Sequence, residues 1–316
     1  MAVSERKNLL GHLRLIIICL LVILVAGLAS AQSTASCQFT TFNTRFFISS
    51  SSGYRVLIPR GVNDYGSVVG SAEDDGDFSV RGFTRFSGGS ISYYHHNSSD
   101  TFFTDRTNSG VTIGVAGGAF ALGSMNGTPF TLKGSTFTPL AMTIGGKSYN
   151  KFTVWGANRY GTTVGTYTDA SGNAHGFKRY SNGNAVALNY PGSVETVAAA
   201  INDNGTIVGA YTKYLPPNAW WHGFIYNNGQ WATLNYPSSK VETVLSGVSN
   251  GNLIVGSTVV GRSSTTVTGA FIYQNGTFNK IVMPNSTVGT NVFGVSPNKG
   301  WITGYSGYKG FIAACK

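Results

Sequence analysis

Few residues in this chain have the chemistry to act on a ligand. Aspartate and glutamate total 12 of 316 residues. Glu195 and Glu242 recur in the same local sequence, as do Asp64 and Asp203, so these four read as structural. Apart from Glu5 near the N-terminus, that leaves Glu73, Asp74, Asp75, Asp77, Asp100, Asp105 and Asp169. A glycosidase-type hydrolase would have to draw its two carboxyl groups from this set. Four of the seven share one loop with Gly76, an oxygen-rich segment in which Asp74, Asp75 and Asp77 are candidate Ca²⁺ ligands. The loop lacks the EF-hand spacing, and a solvated acidic loop explains it as well. No other cofactor is expected.

Histidine and serine offer less. His175 and His222 both precede Gly-Phe, a repeated position. His95 and His96 are adjacent, so in a strand they point to opposite faces and cannot chelate together. No His or Cys spacing suggests zinc. Gly247-Val-Ser249-Asn-Gly251 matches a nucleophile-elbow pattern, but no strand-to-helix context surrounds it. The aromatic groups Tyr93-Tyr94, beside His95, and Trp220-Trp221, with Tyr214, are better candidates. Exposed rings of this kind suit sugar faces or a protein partner.

The elements that position these residues are repeats. Phe83, Phe130, Phe177, Phe224 and Phe271 are spaced by 47 residues each time, and Phe311 follows after 40. A second motif precedes each Phe: Gly61-Val-Asn-Asp-Tyr-Gly through Gly70, then Gly156 to Gly165, Ala200 to Gly209, Gly247 to Gly256 and Gly294 to Gly304, with Gly114 to Gly123 as a worn copy. Each unit reads as four strands, a to d. In one unit they run Val194 to Ile201, Thr206 to Tyr211, His222 to Tyr226 and Gln230 to Tyr236. Asn202-Asp-Asn-Gly205 and Asn227-Asn-Gly229 are hairpin turns. Four strands in a unit of this length predict an all-β, six-bladed propeller of four-stranded blades. Its 42 glycines and low charged fraction of 11% fit many tight turns and buried strands.

The last unit stops before its strand d, while Gln38-Phe-Thr-Thr-Phe-Asn43 resembles one. The N-terminus is therefore expected to complete the last blade, so that N- and C-terminal strands close the ring. Cys37 and Cys315 would then lie on neighbouring strands, placed for a disulfide. Residues 1–31 read as a secretory signal peptide: Arg6, Lys7 and Arg14, an apolar run from Leu15 to Leu28, and Ala29-Ser-Ala31. The run is short for a spanning helix. Residues 32–316 form the propeller domain, expected in an oxidising compartment, extracellular or periplasmic. No transmembrane segment is expected after cleavage. The net charge is +10, with the basic residues scattered singly, so no nucleic-acid partner is expected.

These motifs resemble the HAF-type extracellular repeat family of secreted and surface proteins. The residues that carry the resemblance are Asn202–Gly209, Asp169–Phe177 and Asn189–Gly192. It implies a propeller-like extracellular protein and carries no catalytic residue. The tight a–b and c–d turns share one face, and the variable b–c and d–a connections share the other. A ligand site is expected on the variable face, at Trp220, Trp221, Tyr214, Tyr93, Tyr94 and His95. The leading expectation is a monomeric, non-catalytic module that binds glycans or cell-envelope components. The alternatives are a secreted hydrolase or lyase on the same face, and a structural cell-surface protein.

Overall fold

The computed structural model describes residues 33–42, 57–73, 79–97, 99–117, 127–216, 218–260, 266–286, 288–307 and 309–315. The expected leader, and Asp74, Asp75 and Asp77, lie outside them.

The chain folds as six four-stranded antiparallel blades. Blade 1 comprises Leu57–Val62, Val68–Glu73, Val80–Arg85 and Ile91–Tyr94 as strands a to d. Blade 2 follows with Thr101–Arg106, Thr112–Ala116, Thr128–Lys133 and Thr136–Pro139. Blade 3 has Thr153–Ala157, Thr163–Thr168, Ala174–Arg179 and Ala185–Leu188. Blade 4 has Glu195–Ile201, Ile207–Thr212, His222–Asn227 and Gln230–Thr233. Blade 5 has Glu242–Val248, Ile254–Val260, Thr266–Gln274 and Thr277–Ile281. Blade 6 takes Thr290–Val295, Trp301–Ser306 and Lys309–Cys315 from the C-terminus and Cys37–Phe42 from the N-terminus. A two-stranded hairpin, Met142–Ile144 with Lys147–Tyr149, is inserted between blades 2 and 3.

The expected closure is present. Cys37 and Cys315 are direct cross-strand partners and form a disulfide across 278 residues. Upstream, Ser33–Thr34 pairs in parallel with Asn279 and Lys280 on the outer strand of blade 5. The N-terminal segment therefore fastens two blades.

The repeated Phe and the repeated Gly explain one another. Each Phe is paired across the sheet with the glycine that ends the strand-b motif: Gly70 with Phe83, Gly165 with Phe177, Gly209 with Phe224. The ring lies close against that backbone. A Cβ on Gly209 would stand 1.9 Å from the Val197 carbonyl oxygen and 2.9 Å from the Phe224 ring. All six phenylalanines are at most 1% exposed. Burial of each removes a large apolar side chain from water, contributing ~1.5–3 kcal/mol.

Candidate functional site

Every strand a carries a β-bulge in the same place. The pairing with strand b skips one residue: Arg60 in blade 1, Thr104 in blade 2, Trp155 in blade 3, Ala199 in blade 4, Ser246 in blade 5 and Phe293 in blade 6. A bulge re-aims the extra side chain, and all six of these residues line the central channel. The residue after the bulge packs against the neighbouring blade. It is Gly61, Gly156, Ala200, Gly247 and Gly294 in five blades. A Cβ on Gly156 would meet the Ala200 Cα at 2.9 Å. In blade 2 that position is Asp105.

The channel holds a cavity of about 240 Å³ that reaches the face of the tight a–b turns. Arg60 crosses it from blade 1. Its guanidinium stands 5.2 Å from the Trp155 ring centroid, across the channel in blade 3, and 4.9 Å from that of Phe293 in blade 6. Burial pushes the Arg60 guanidinium down to about 10. Asp105 accepts hydrogen bonds from Arg106 N (2.7 Å) and Ala157 N (3.0 Å). Burial pushes its carboxyl up to about 6, and the two backbone donors offset only part of this. Both side chains keep some accessible area, on the channel side, although each lies deep among protein atoms.

Turn chemistry builds the rim. The Asn of each Asn-Asp-x-Gly motif caps its own turn and clasps the next blade. Asn63 Oδ1 accepts from Tyr65 N and Ser67 N, and its Nδ2 donates to Thr107 O (3.4 Å). Asn158 Nδ2 donates to Asn202 O (3.4 Å), and Asn202 Nδ2 to Ser249 O (2.9 Å). One residue further on, a second belt runs between turns. Asp64 receives Asn108 Nδ2 (2.6 Å), Asn298 N (2.8 Å) and Asn298 Nδ2 (2.6 Å). Asp203 receives Arg159 N (2.9 Å) and Asn250 Nδ2 (2.8 Å), and Asn250 Nδ2 also reaches Asn298 Oδ1 (2.8 Å). Burial raises the Asp64 carboxyl, but its hydrogen bonds from Asn298, Asn108 and Lys299 outweigh this and hold it below the usual range.

The belt has one gap. Among the described residues, no hydrogen bond joins the turn of blade 2 to the turn of blade 3. Blade 2 has Thr107 where the clasping Asn stands in blades 1, 3 and 4, and a threonine has no side-chain amide to donate. Asp105 makes the link there instead, through Ala157 N. Blade 2 is also where the sequence reading misaligned. Its motif runs Asp105 to Gly114, with Gly114 pairing Phe130, and not Gly114 to Gly123 as expected. That shift hid Asp105 and the channel ring. The signal available was the repeat itself: the residue preceding each motif is the one the bulge turns inward.

The residues expected at the site lie elsewhere and do not converge. Tyr93 and Tyr94 belong to strand d of blade 1, not to a d–a connection, and Thr101–Arg106 is strand a of blade 2. Tyr93 is half-buried against the Phe42–Phe83 cluster, and burial pushes its hydroxyl up to about 12. Tyr94 packs on Phe103 at 5.3 Å. His95 Nε2 is buried with no partner among the described residues, and His96 stacks on Phe130. Trp220 and Trp221 are half-buried. Their backbone N–H groups donate to Thr212 Oγ1 and Glu242 Oε2. Tyr214 is 65% exposed. The tight-turn face carries exposed rings of its own, Tyr65 (66%) and Tyr160 (57%), on turns that surround the cavity mouth.

The histidines at the repeated position are structural. His175 bonds Asp169 Oδ2 (3.0 Å) and Asn189 Oδ1 (3.2 Å), and His222 bonds Asn235 Nδ2 (2.9 Å) while lying on Tyr211. The His175 bond, with backbone donors from Asn173 and Ser171, lowers Asp169 to about 2. Ser249 Oγ accepts Leu253 N (3.0 Å) as a turn cap. Among the described residues, no group of three His, Cys, Asp or Glu is placed to hold a metal.

No protein-family model matches the chain, and no curated protein does. Solved structures match in fold. A crystal structure described as a "putative gluconolactonase" superposes with a TM-score of 0.53 at 15% identity, over 92% of this chain and 95% of that one. A mutant of AofleA from Arthrobotrys oligospora, with three arginines changed to alanine, aligns at 0.48 and 11% identity over 88% and 86%. The first likeness shows the propeller fold; the second carries no further argument.

Proposed function

We propose that this protein is a secreted, monomeric, non-catalytic binding propeller for glycans or cell-envelope components, and that it recognises them at the channel mouth on the tight-turn face. The observation that supports this is the cavity itself. It places an indole (Trp155), a phenyl ring (Phe293), a guanidinium (Arg60), a carboxylate (Asp105) and two hydroxyls (Thr104, Ser246) around about 240 Å³. Apolar faces with a few fixed polar groups are what a small-ligand pocket requires. The volume suits one sugar ring, and Tyr65 and Tyr160 extend the surface for its neighbours. Secretion is supported by the expected leader and by the disulfide. Among the described residues, no helix is long and apolar enough to cross a membrane.

The site differs from the one expected on the variable loops, and the two are separable. A glycan array probed with wild type and with Trp155→Leu decides between them. Loss of signal in the variant supports the channel site. Full retention, with loss in a Tyr214→Ser and Trp221→Leu variant, returns the site to the loops. No signal from wild type overturns the glycan reading.

A further inference from the structure

Building on the channel-mouth reading, we propose that the cavity selects a carboxylate-bearing sugar, a uronic acid unit, and that Arg60 reads the carboxylate. Arg60, Arg106, Arg159, Asp105 and Asp203 are the charged residues of the lining, but the Arg106 guanidinium turns away to Thr112 on strand b and that of Arg159 lies on Tyr160 and beside Asp203. Asp203 is engaged by the turn belt. Arg60 is the cation at the bulge position, where the other five blades place neutral side chains. Its guanidinium lies over two aromatic rings from different blades. Two aromatic faces locate the guanidinium at the cavity, and a guanidinium is the group that can grip a carboxylate with two parallel hydrogen bonds. The surroundings are largely desolvated, which strengthens a charge-assisted bond relative to water.

The rest of the lining suits the remainder of a uronate. Each Asp105 oxygen takes one backbone N–H. An ionised carboxylate offers about four acceptor sites, so its remaining lone pairs are available to sugar hydroxyls. Thr104 and Ser246 hydroxyls donate to Ile113 O (3.3 Å) and Val292 O (2.7 Å), leaving their oxygens as acceptors. The Trp155 indole N–H donates to Thr166 Oγ1 (3.3 Å), which helps hold the ring in place.

The test is a titration followed on the Trp155 indole N–H resonance of the full protein. The probes are D-glucuronate and D-galacturonate against glucose and galactose, with wild type and Arg60→Gln. The expected result is at least a ~10-fold preference for the acid sugar, since a hydrogen bond to a charged group contributes more than one decade of affinity. The preference should vanish in Arg60→Gln, so that acid and neutral sugars of the same ring bind alike. If Arg60→Gln does not fold, Arg60→Lys replaces it and should lose most of the preference, because an ammonium has no fork. Equal binding of acid and neutral sugars, or a preference that survives at Arg60→Gln, overturns the inference and leaves the channel site standing. If no sugar moves the Trp155 resonance, the channel site fails as well.

Discussion

The seams between blades 3 and 4 and between blades 2 and 3 do the same mechanical work with different chemistry. At the first, an asparagine amide reaches the next turn, and a carboxylate on the neighbouring turn collects backbone and side-chain donors. Both links lie among the tight turns at the rim. At the second, Thr107 cannot reach across, and the link moves inward to Asp105 in the channel wall. The rim link leaves the position after the bulge as a small neutral residue, Gly156 in blade 3 and Ala200 in blade 4. The inward link puts a charge at that position, where the other blades keep a Gly or Ala. A seam that gives up a neutral turn-to-turn hydrogen bond for a desolvated carboxylate loses stability, and what it gains is a polar group aimed at the cavity.

Three measurements bear on that comparison, and a fourth sets its scale. The largest effect belongs to the covalent seam in blade 6. Replacing both Cys37 and Cys315 with serine should lower unfolding stability by up to ~5 kcal/mol on the chain-entropy argument for a loop this long, read by denaturant melts. Next is the charged seam. The Asp105 carboxyl is raised from 3.8 in the unfolded chain to about 6 when folded. The folded state therefore holds the extra proton between those values. This contribution is fully present below pH 3.8 and is lost as pH rises through about 6. The loss is ~3 kcal/mol, at 1.36 kcal/mol per unit. An Asp105→Gly variant should show a flatter stability profile between pH 4 and 6; an unchanged profile would mean the carboxyl is not desolvated.

The belted seam comes third. Asn202→Ala removes a buried acceptor for Thr206 N and a donor to Ser249 O. A cost of ~2 kcal/mol follows from the buried groups left unpaired, and equal stability would show water replacing the amide. The smallest effect is a repair. Thr107→Asn gives blade 2 the clasp used by blades 1, 3 and 4, with Asn158 O as the target, and should stabilise by ~1 kcal/mol. A destabilised variant would show that blade 2 cannot present the amide as its neighbours do.

The fold was legible because its rule repeats. A Phe every 47 residues, and a glycine that must lie under it, mark a close approach that tolerates no Cβ. The same logic predicted that Cys37 and Cys315 would meet. The cavity was not legible for two physical reasons. A bulge is a count of residues, not a residue type, so nothing in Arg60, Trp155 or Phe293 announces that it is the unpaired one. Blade 2 also replaces the Asn-Asp turn with Thr107-Asn108, so its motif was read nine residues late and Asp105 was left among unassigned carboxylates. Tyr93, Tyr94, Trp220 and Trp221 looked like loop-borne binding rings, but strand packing and backbone bonds to the next blade already account for much of their surface.

The completion of blade 6 by Cys37–Phe42 bears on when the molecule can become itself. Blades 1 to 5 each have all four strands in one continuous stretch, so each can assemble as soon as its own segment is available. Blade 6 needs partners nearly the whole chain apart, and contacts of that separation form slowly. Until they do, the N-terminal strand is an unpaired edge, open to the wrong neighbour. Strands far apart in the chain then license one another, and oxidation of the cysteine pair becomes a timestamp of completed folding.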